Sequence, residues 1–185
     1  MNNNSKKNIA VVIGSEGGIG KSICDRLKLT NLYTHVLGYN RKKGLKIDVT
    51  KEGDINKLKN HLIKENYKIS LLVNAVGYLH EKNFFPEKKN EDINIKYMKK
   101  SFEINTIATA LLIKYLAPLM DNKEKSIFAS LSAKVGSIED NYLGGWYSYR
   151  ISKAALNQLI KTASIEFKRK NPYLIFASIH PGTVT

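Results

Sequence analysis

The chain has 185 residues, 43% of them hydrophobic and 25% charged, with one cysteine and a formal net charge of +14. That length suits one domain, read as 1–185, and the composition excludes a disulfide-built scaffold, a cysteine-only metal cluster and a mostly disordered chain, so no metal site is expected. No apolar stretch is read as approaching the ~20 residues that cross a bilayer, and the start MNNNSKKN lacks the apolar core of a signal peptide, so a cytoplasmic protein with no membrane partner is expected.

Thirty Lys and Arg oppose sixteen Asp and Glu, and a basic surface attracts polyanions. Only four of the thirty are arginines, at 26, 41, 150 and 169, and the lysines are scattered. Arginine supplies the planar fork that reads phosphates and base edges, whereas scattered lysines mostly solvate a surface. A lysine-rich nucleic-acid binder is therefore the lesser reading, and no specific nucleic-acid partner is expected.

In chain order, the β-branched run 9–13 ends at Gly14 and predicts a strand, and 18–31 is compatible with a helix. Residues 35–38 read as a strand, 54–66 as a helix and 69–73 as a strand, with a further strand and helix expected to be merged or shortened around 45–66. The polar stretch from Leu79 contains Pro86 and predicts a loop leading into a long helix over about 92–120. Then come a strand at 126–130, a helix at 147–170 and a strand at 174–179. Short apolar runs separated by longer amphipathic segments predict an α/β fold, a doubly wound parallel sheet with helices on both faces. The chain has no internal repeat and no linker.

The first strand-to-helix turn, VVIGSEGGIGKSI, carries Gly14, Gly17, Gly18 and Gly20. Glycines there permit a tight turn, let backbone approach a ligand and let the helix pack against the sheet, while the helix N-terminus offers N–H groups to a pyrophosphate. The spacing is not that of a P-loop, because Glu16 stands four residues before Gly20. Tyr149 and Lys153 are four apart and share one helical face. A lysine beside a phenol favours the phenolate and lowers a pKa that starts near ~10.

Seven pieces in order carry a resemblance: Gly14-x-x-x-Gly18-Ile19-Gly20, Asp48-Val49-Thr50, Asn74-Ala75-Val76-Gly77, Asn105, Ser132, Tyr149-x-x-x-Lys153 and Pro181-Gly182-x-Val-x-Thr185. With them the chain resembles the short-chain dehydrogenase/reductase family, and within it the C-factor and sniffer-like carbonyl reductases. The resemblance implies a Rossmann-like NAD(P)-binding domain and hydride transfer to a carbonyl. Gly14, Ser15, Gly18, Ile19 and Gly20 would surround the pyrophosphate, Asp48 and Val49 would contact adenine, and Asn74, Ala75 and Gly77 would lie beside the adenosine ribose. Tyr149 would be the acid/base, Lys153 would bind the nicotinamide ribose and lower the tyrosine's pKa, and Asn105 would organise a proton relay. Pro181, Gly182 and Thr185 would lie beside the nicotinamide. A full-length form would be a homodimer or tetramer.

The chain departs from the family's pattern in three places. Ile13 stands where a threonine is usual, and the second asparagine of Asn-Asn-Ala-Gly is missing. The register also puts Ala133 where the carbonyl-polarising serine is expected, with Ser132 one position earlier, which on a regular strand points to the opposite face. Ser132 is favoured for that role because the strand is ending there; Ser130 and Ser137 are weaker candidates.

The second predicted strand ends in GYNRKKG, where NAD-preferring sites place an acid. Here Asn40 is neutral and Arg41, Lys42 and Lys43 are basic, so NADP(H) is favoured, with NAD(H) possible. Tyr142, Leu143, Trp146 and Tyr147 lie between the serine and tyrosine motifs, where the resemblance implies a substrate cleft for a moderately apolar carbonyl or alcohol; otherwise they pack against the fold or a partner subunit. The alternative is a dinucleotide-binding signalling or interaction protein with little catalysis. Family members continue beyond the last motif through further helices and a seventh strand, whereas this chain stops at Thr185. Six strands are therefore expected with the seventh missing, together with an open sheet edge, an incomplete substrate side and weak activity of the 185-residue form.

Overall fold

The computed structural model describes residues 7–82 and 84–182. Five strands form one sheet: β1 (Lys7–Ile13), β2 (His35–Tyr39), β3 (Tyr67–Asn74), β4 (Ser126–Leu131) and β5 (Leu174–Ile179). All pairings are parallel and the order is β2-β1-β3-β4-β5. The chain thus leaves β1 toward one edge, returns to β3 on its other side and continues outward. The crevice at the carboxyl ends of β1 and β3 is the switch point where such sheets bind ligands.

The centre of the sheet is apolar without alternation because it is covered on both faces. Ile9 to Val12 are fully buried and Ile13 is 1% exposed, as a central parallel strand requires. Ile9, Val11 and Ile13 face α2 (Glu52–Lys64), α4 (Ala108–Leu116) and α5 (Tyr147–Lys170), in a core that includes Leu58, Leu112, Leu116, Phe128 and Leu156. Val12 turns the other way, with Val73 and Ala129, toward Cys24 of α1 (Gly18–Thr30).

The expected six strands are five among the described residues. Between Tyr39 and Glu52 there is neither strand nor helix, because so short a stretch cannot hold both elements of a crossover unit. Its Ile47 and Val49 still drop into the core, at 1% and 5% exposure. The Ile47 N–H is bonded to the Asn40 carbonyl rather than to a ladder partner.

The long helix expected over 92–120 is broken. A 3₁₀ turn at Asn90–Asp92 precedes α3 (Ile95–Phe102), a π-helical turn spans Glu103–Ile107, and α4 ends in a 3₁₀ turn at Ala117–Leu119. Asn94 caps α3 by accepting the N–H groups of Lys96 and Tyr97. By length and composition Ile95–Leu119 is apolar enough to cross a membrane. The sequence expectation of no such stretch is overturned on length and composition, although Lys96, Lys99, Lys100, Glu103 and Lys114 interrupt the segment. In the fold its Tyr97, Leu112 and Leu116 are buried.

Asn74 joins the sheet to this broken helix. Its Nδ2 donates to Thr109 Oγ1 at 2.9 Å and to Ser130 Oγ at 3.3 Å, and its Oδ1 accepts the Val76 N–H at 3.1 Å. These bonds fix the direction in which the chain leaves β3 for Gly77.

Candidate active site

The turn after β1 is built by close backbone approach. Gly14 has φ of +84°, and a Cβ there would lie 2.9 Å from Val76 Cγ2. A Cβ on Gly20 would lie 2.2 Å from the Gly14 carbonyl oxygen, so no larger residue fits. The Gly14 N–H bonds to the Tyr39 carbonyl at 2.8 Å, and the Gly17 N–H to the Gly14 carbonyl at 3.0 Å. Nothing lies within 4 Å of a Cβ built on Gly18. The first turn of α1 therefore begins open to an incoming group and carries no acidic side chain of its own, while Glu16, in the turn before it, is paired with Lys43 at 3.4 Å.

A groove of about 370 Å³ runs from this turn across the carboxyl ends of the strands, within the size range of small-molecule sites. Its lining includes Gly14, Asn40, Arg41, Asp48, Val49 and Gly77. Ala75 also lines it. Asn40 shapes the basic end: its Oδ1 accepts the N–H groups of Lys42 and Lys43 at 2.7 and 2.9 Å, and its Nδ2 reaches Ser15 Oγ at 3.3 Å. Burial pushes the Asp48 carboxyl up, but the Thr50 hydroxyl and N–H, with Arg41 and Lys51, outweigh it and hold the group below the usual carboxylate range.

Gly77 links the groove to the second cluster. A Cβ there would stand 3.7 Å from Lys153 Nζ and 3.8 Å from Asn105 Oδ1. Asn105 sits in the π-helical turn, 1% exposed, a local widening that often marks functional positions. Its side chain holds the segment after Gly77 from both sides, accepting the Tyr78 N–H at 2.8 Å and donating to the Tyr78 carbonyl at 2.9 Å. It also donates to Ser152 Oγ at 3.0 Å, which ties it to α5.

Tyr149 and Lys153 lie on one face of α5, with Lys153 Nζ 5.7 Å from the Tyr149 ring centre. Lys153 is 2% exposed, and Nζ donates to the Leu131 carbonyl at 2.8 Å. Burial lowers its pKa to about 8, and burial raises that of Tyr149, opposite to the lowering expected of a tyrosine beside a lysine, because desolvation of the phenol prevails. Gly136 lets the β4–α5 segment touch this helix, since a Cβ there would lie 2.9 Å from the Lys153 backbone and side chain.

Ser132 lies just past β4 and is bonded to α5. Its hydroxyl donates to Asn157 Oδ1 at 2.7 Å, two helical turns beyond Tyr149, and the same oxygen accepts the Ser178 hydroxyl at 2.9 Å. Ser130 is fully buried and accepts from Asn74, while Ser137 accepts the Asp140 N–H at 3.3 Å. Gly18, Ile19, Gly20 and Ser15 belong to the turn and helix start rather than to the groove's lining. Pro181 and Gly182 follow β5, Gly182 with φ of +81°; Thr185 lies outside the described residues.

Two residues were missed by the sequence reading. Asn157 was accessible to it, being four residues beyond Lys153 on the same helical face. Glu87, in the polar loop before α3, carried no sequence signal, yet it is 2% exposed and its carboxylate receives the Ser148 N–H and hydroxyl at the start of α5.

The family profile described as short chain dehydrogenase matches residues 8–185. A curated relative, 1-hydroxy-2-glutathionyl-2-methyl-3-butene dehydrogenase of Rhodococcus sp., is 28% identical over 138 residues, which is 75% of this chain and 57% of that protein. The chain therefore spans little more than half of that relative's length. Among solved structures, the putative carbonyl reductase Sniffer of Caenorhabditis elegans superposes with a TM-score of 0.80 at 22% identity, covering 96% of this chain and 86% of that one. The NADPH-bound carbonyl reductase from chicken fatty liver gives 0.81 at 22% identity, covering 97% and 84%. Both likenesses establish the fold.

The buried ammonium has a measurable consequence. Folding lowers the Lys153 pKa from 10.5 to about 8, so between these values the unfolded chain holds the proton that the folded chain has lost, and stability rises with pH across that window. Lys153→Met abolishes this contribution. Urea unfolding of both proteins from pH 7.5 to 10 should show the unsubstituted protein gaining stability relative to the variant; a constant difference contradicts the burial argument.

Proposed function

The chain belongs to the short-chain dehydrogenase family, and from that premise we propose that it reduces the carbonyl of a small aldehyde or ketone with NADPH. The observation that carries this reading is the buried Lys153 ammonium beside Tyr149, close to Gly77 at the end of the groove. The groove suits a dinucleotide on its own geometry: a glycine cradle that side chains would fill, an open helix N-terminus, and cations instead of an acid after β2. Gly14, Ser15, Gly18, Ile19 and Gly20 would hold the pyrophosphate, and Asn40 and Arg41 the 2′-phosphate. Asp48 and Val49 would take the adenine, Asn74, Ala75 and Gly77 the adenosine ribose, and Pro181, Gly182 and Thr185 the nicotinamide end.

When bound, the reduced nicotinamide supplies a hydride to the substrate carbonyl carbon. Tyr149 donates its proton to the carbonyl oxygen as charge grows there. Burial, which raises the phenol's pKa, keeps it in the donor form at neutral pH. Lys153 then stabilises the phenolate, and its pKa of about 8 leaves it mostly charged at pH 7. Asn105 holds the Tyr78 backbone and Ser152, and so organises the proton's resupply through Lys153. Ser132 reaches the carbonyl oxygen by exchanging its bond to Asn157 for one to substrate. Tyr142, Leu143, Trp146 and Tyr147 are exposed apolar side chains just before and at the start of α5, which would favour a moderately apolar carbonyl or alcohol, and the protein would act as a homo-oligomer in the cytoplasm.

A second reading, a dinucleotide-binding signalling or interaction protein with little catalysis, is favoured by one observation: Ala133 stands where the family's serine is expected and the Ser132 proton goes to Asn157. NADPH binding without turnover across a panel of aldehydes and ketones would select it.

Tyr149→Phe should lower carbonyl reduction by at least ~100-fold with little change in NADPH affinity, because the hydroxyl serves as proton donor. Near-normal turnover of the variant contradicts the assignment. Arg41→Ala should weaken NADPH by ~1–3 kcal/mol and NADH much less, if a charged hydrogen bond to the 2′-phosphate is lost. Equal weakening of both cofactors, measured by fluorescence titration, refutes the phosphate role.

A further inference from the structure

The first turn of α5 has no cap of its own. Its N-cap residue, Trp146, makes no side-chain cap bond and sits at φ of +54°, a left-handed conformation uncommon for a bulky residue. No acidic residue lies in the helix's first turn. The N–H groups of such a turn need partners from elsewhere.

Glu87 supplies them from a separate element. Its carboxylate oxygens stand 3.3 and 3.2 Å from the Ser148 nitrogen, and Oε1 also accepts the Ser148 hydroxyl. Its carbonyl accepts the Trp146 N–H at 2.5 Å. A Cβ on Gly145 would lie 3.3 Å from that carbonyl oxygen, so the loop passes tightly over the clamp. Glu87 therefore grips α5 with both side chain and backbone, and its position at the positive end of the helix suits an anion. The gripped residue, Ser148, immediately precedes Tyr149, whose ring also meets the Trp146 ring edge-on at 6.2 Å.

We propose that Glu87 is a positioning residue for Tyr149: by holding Ser148 and Trp146 it sets the angle at which α5 presents the phenol to the groove. The inference rests on the reading of Tyr149 as proton donor. Asn105 and Lys153 secure the second turn of the helix through Ser152 and Leu131, whereas Glu87 secures from a separate element the first turn, which carries the phenol's own backbone and which Arg150 Nε also ties to the Gly145 carbonyl at 3.0 Å. Sequence offers no sign of this, because Glu87 is remote from α5 along the chain.

The test compares Glu87→Ala, Glu87→Gln and Tyr149→Phe in the full 185-residue chain, using ring-¹³C-labelled tyrosine, amide exchange and steady-state kinetics. The Tyr149 ring signal is assigned by its loss in Tyr149→Phe. In Glu87→Ala that signal should shift or broaden, and the amides of 148–150 should exchange at least about tenfold faster, with those of 156–160 unchanged. The same variant should lose about tenfold in kcat with its KM for NADPH within about threefold, since the binding groove is untouched. Glu87→Gln, whose amide oxygen still accepts from Ser148, should restore most of each effect. A destabilised but fully active Glu87→Ala with an undisturbed Tyr149 signal overturns the clamp alone. Near-normal turnover in Tyr149→Phe overturns the catalytic reading instead. Should Glu87→Ala fail to fold, Ser148→Ala removes only the hydroxyl bond and should move the Tyr149 signal in the same direction; no movement overturns the proposal.

Discussion

The contact between Gly14 and Gly20 governs the carboxyl end of the sheet. The Gly14 carbonyl oxygen occupies the space that a side chain on Gly20 would need, so α1 can begin almost directly at the end of β1. Because Gly14 also donates its N–H to Tyr39, the same turn pins the end of β2 and the basic residues that follow. The Val76 side chain packs over Gly14 from the β3 side. One tight turn therefore brings three strand ends together, and the groove is the space left between them.

The end of the groove at Gly77 depends on a balance of burial against charge. Lys153 is almost fully buried, and its pKa falls for that reason. Its bond to the Leu131 carbonyl holds the ammonium at the end of β4, where α5 and the loop after Gly77 converge. Asn105 performs the complementary task with neutral groups, satisfying both backbone atoms of Tyr78 while reaching Ser152. The π-helical turn around Asn105 separates α3 from α4 and places this side chain between the loop and α5.

The strand and helix alternation was legible in the sequence because parallel strands buried on both faces read as continuous apolar runs; β5 and α5 appear at the expected limits. The stretch between β2 and α2 was misread because Ile47 and Val49 are apolar and core-facing, a burial pattern that looks like a strand although no ladder forms. The break at Glu103–Ile107 was invisible because a π turn leaves the apolar spacing nearly intact. In the site, glycine spacing and the Tyr149–Lys153 interval exposed the residues whose roles depend on local geometry. The bonds of Ser132 to Asn157 and of Glu87 to Ser148 join segments far apart in the chain, which no local pattern encodes.

The central claim is that the groove between Gly14, Arg41 and Gly77 receives a dinucleotide with its reactive end toward Tyr149 and Lys153. Titration of ¹⁵N-labelled protein with NADPH, followed by backbone amide shifts, tests it most directly. The account predicts saturable shifts at Gly14, Gly18, Gly20, Arg41, Asp48 and Gly77, extending to the amides around Tyr149. Saturable shifts confined to another surface, or no saturation at these residues, would contradict it.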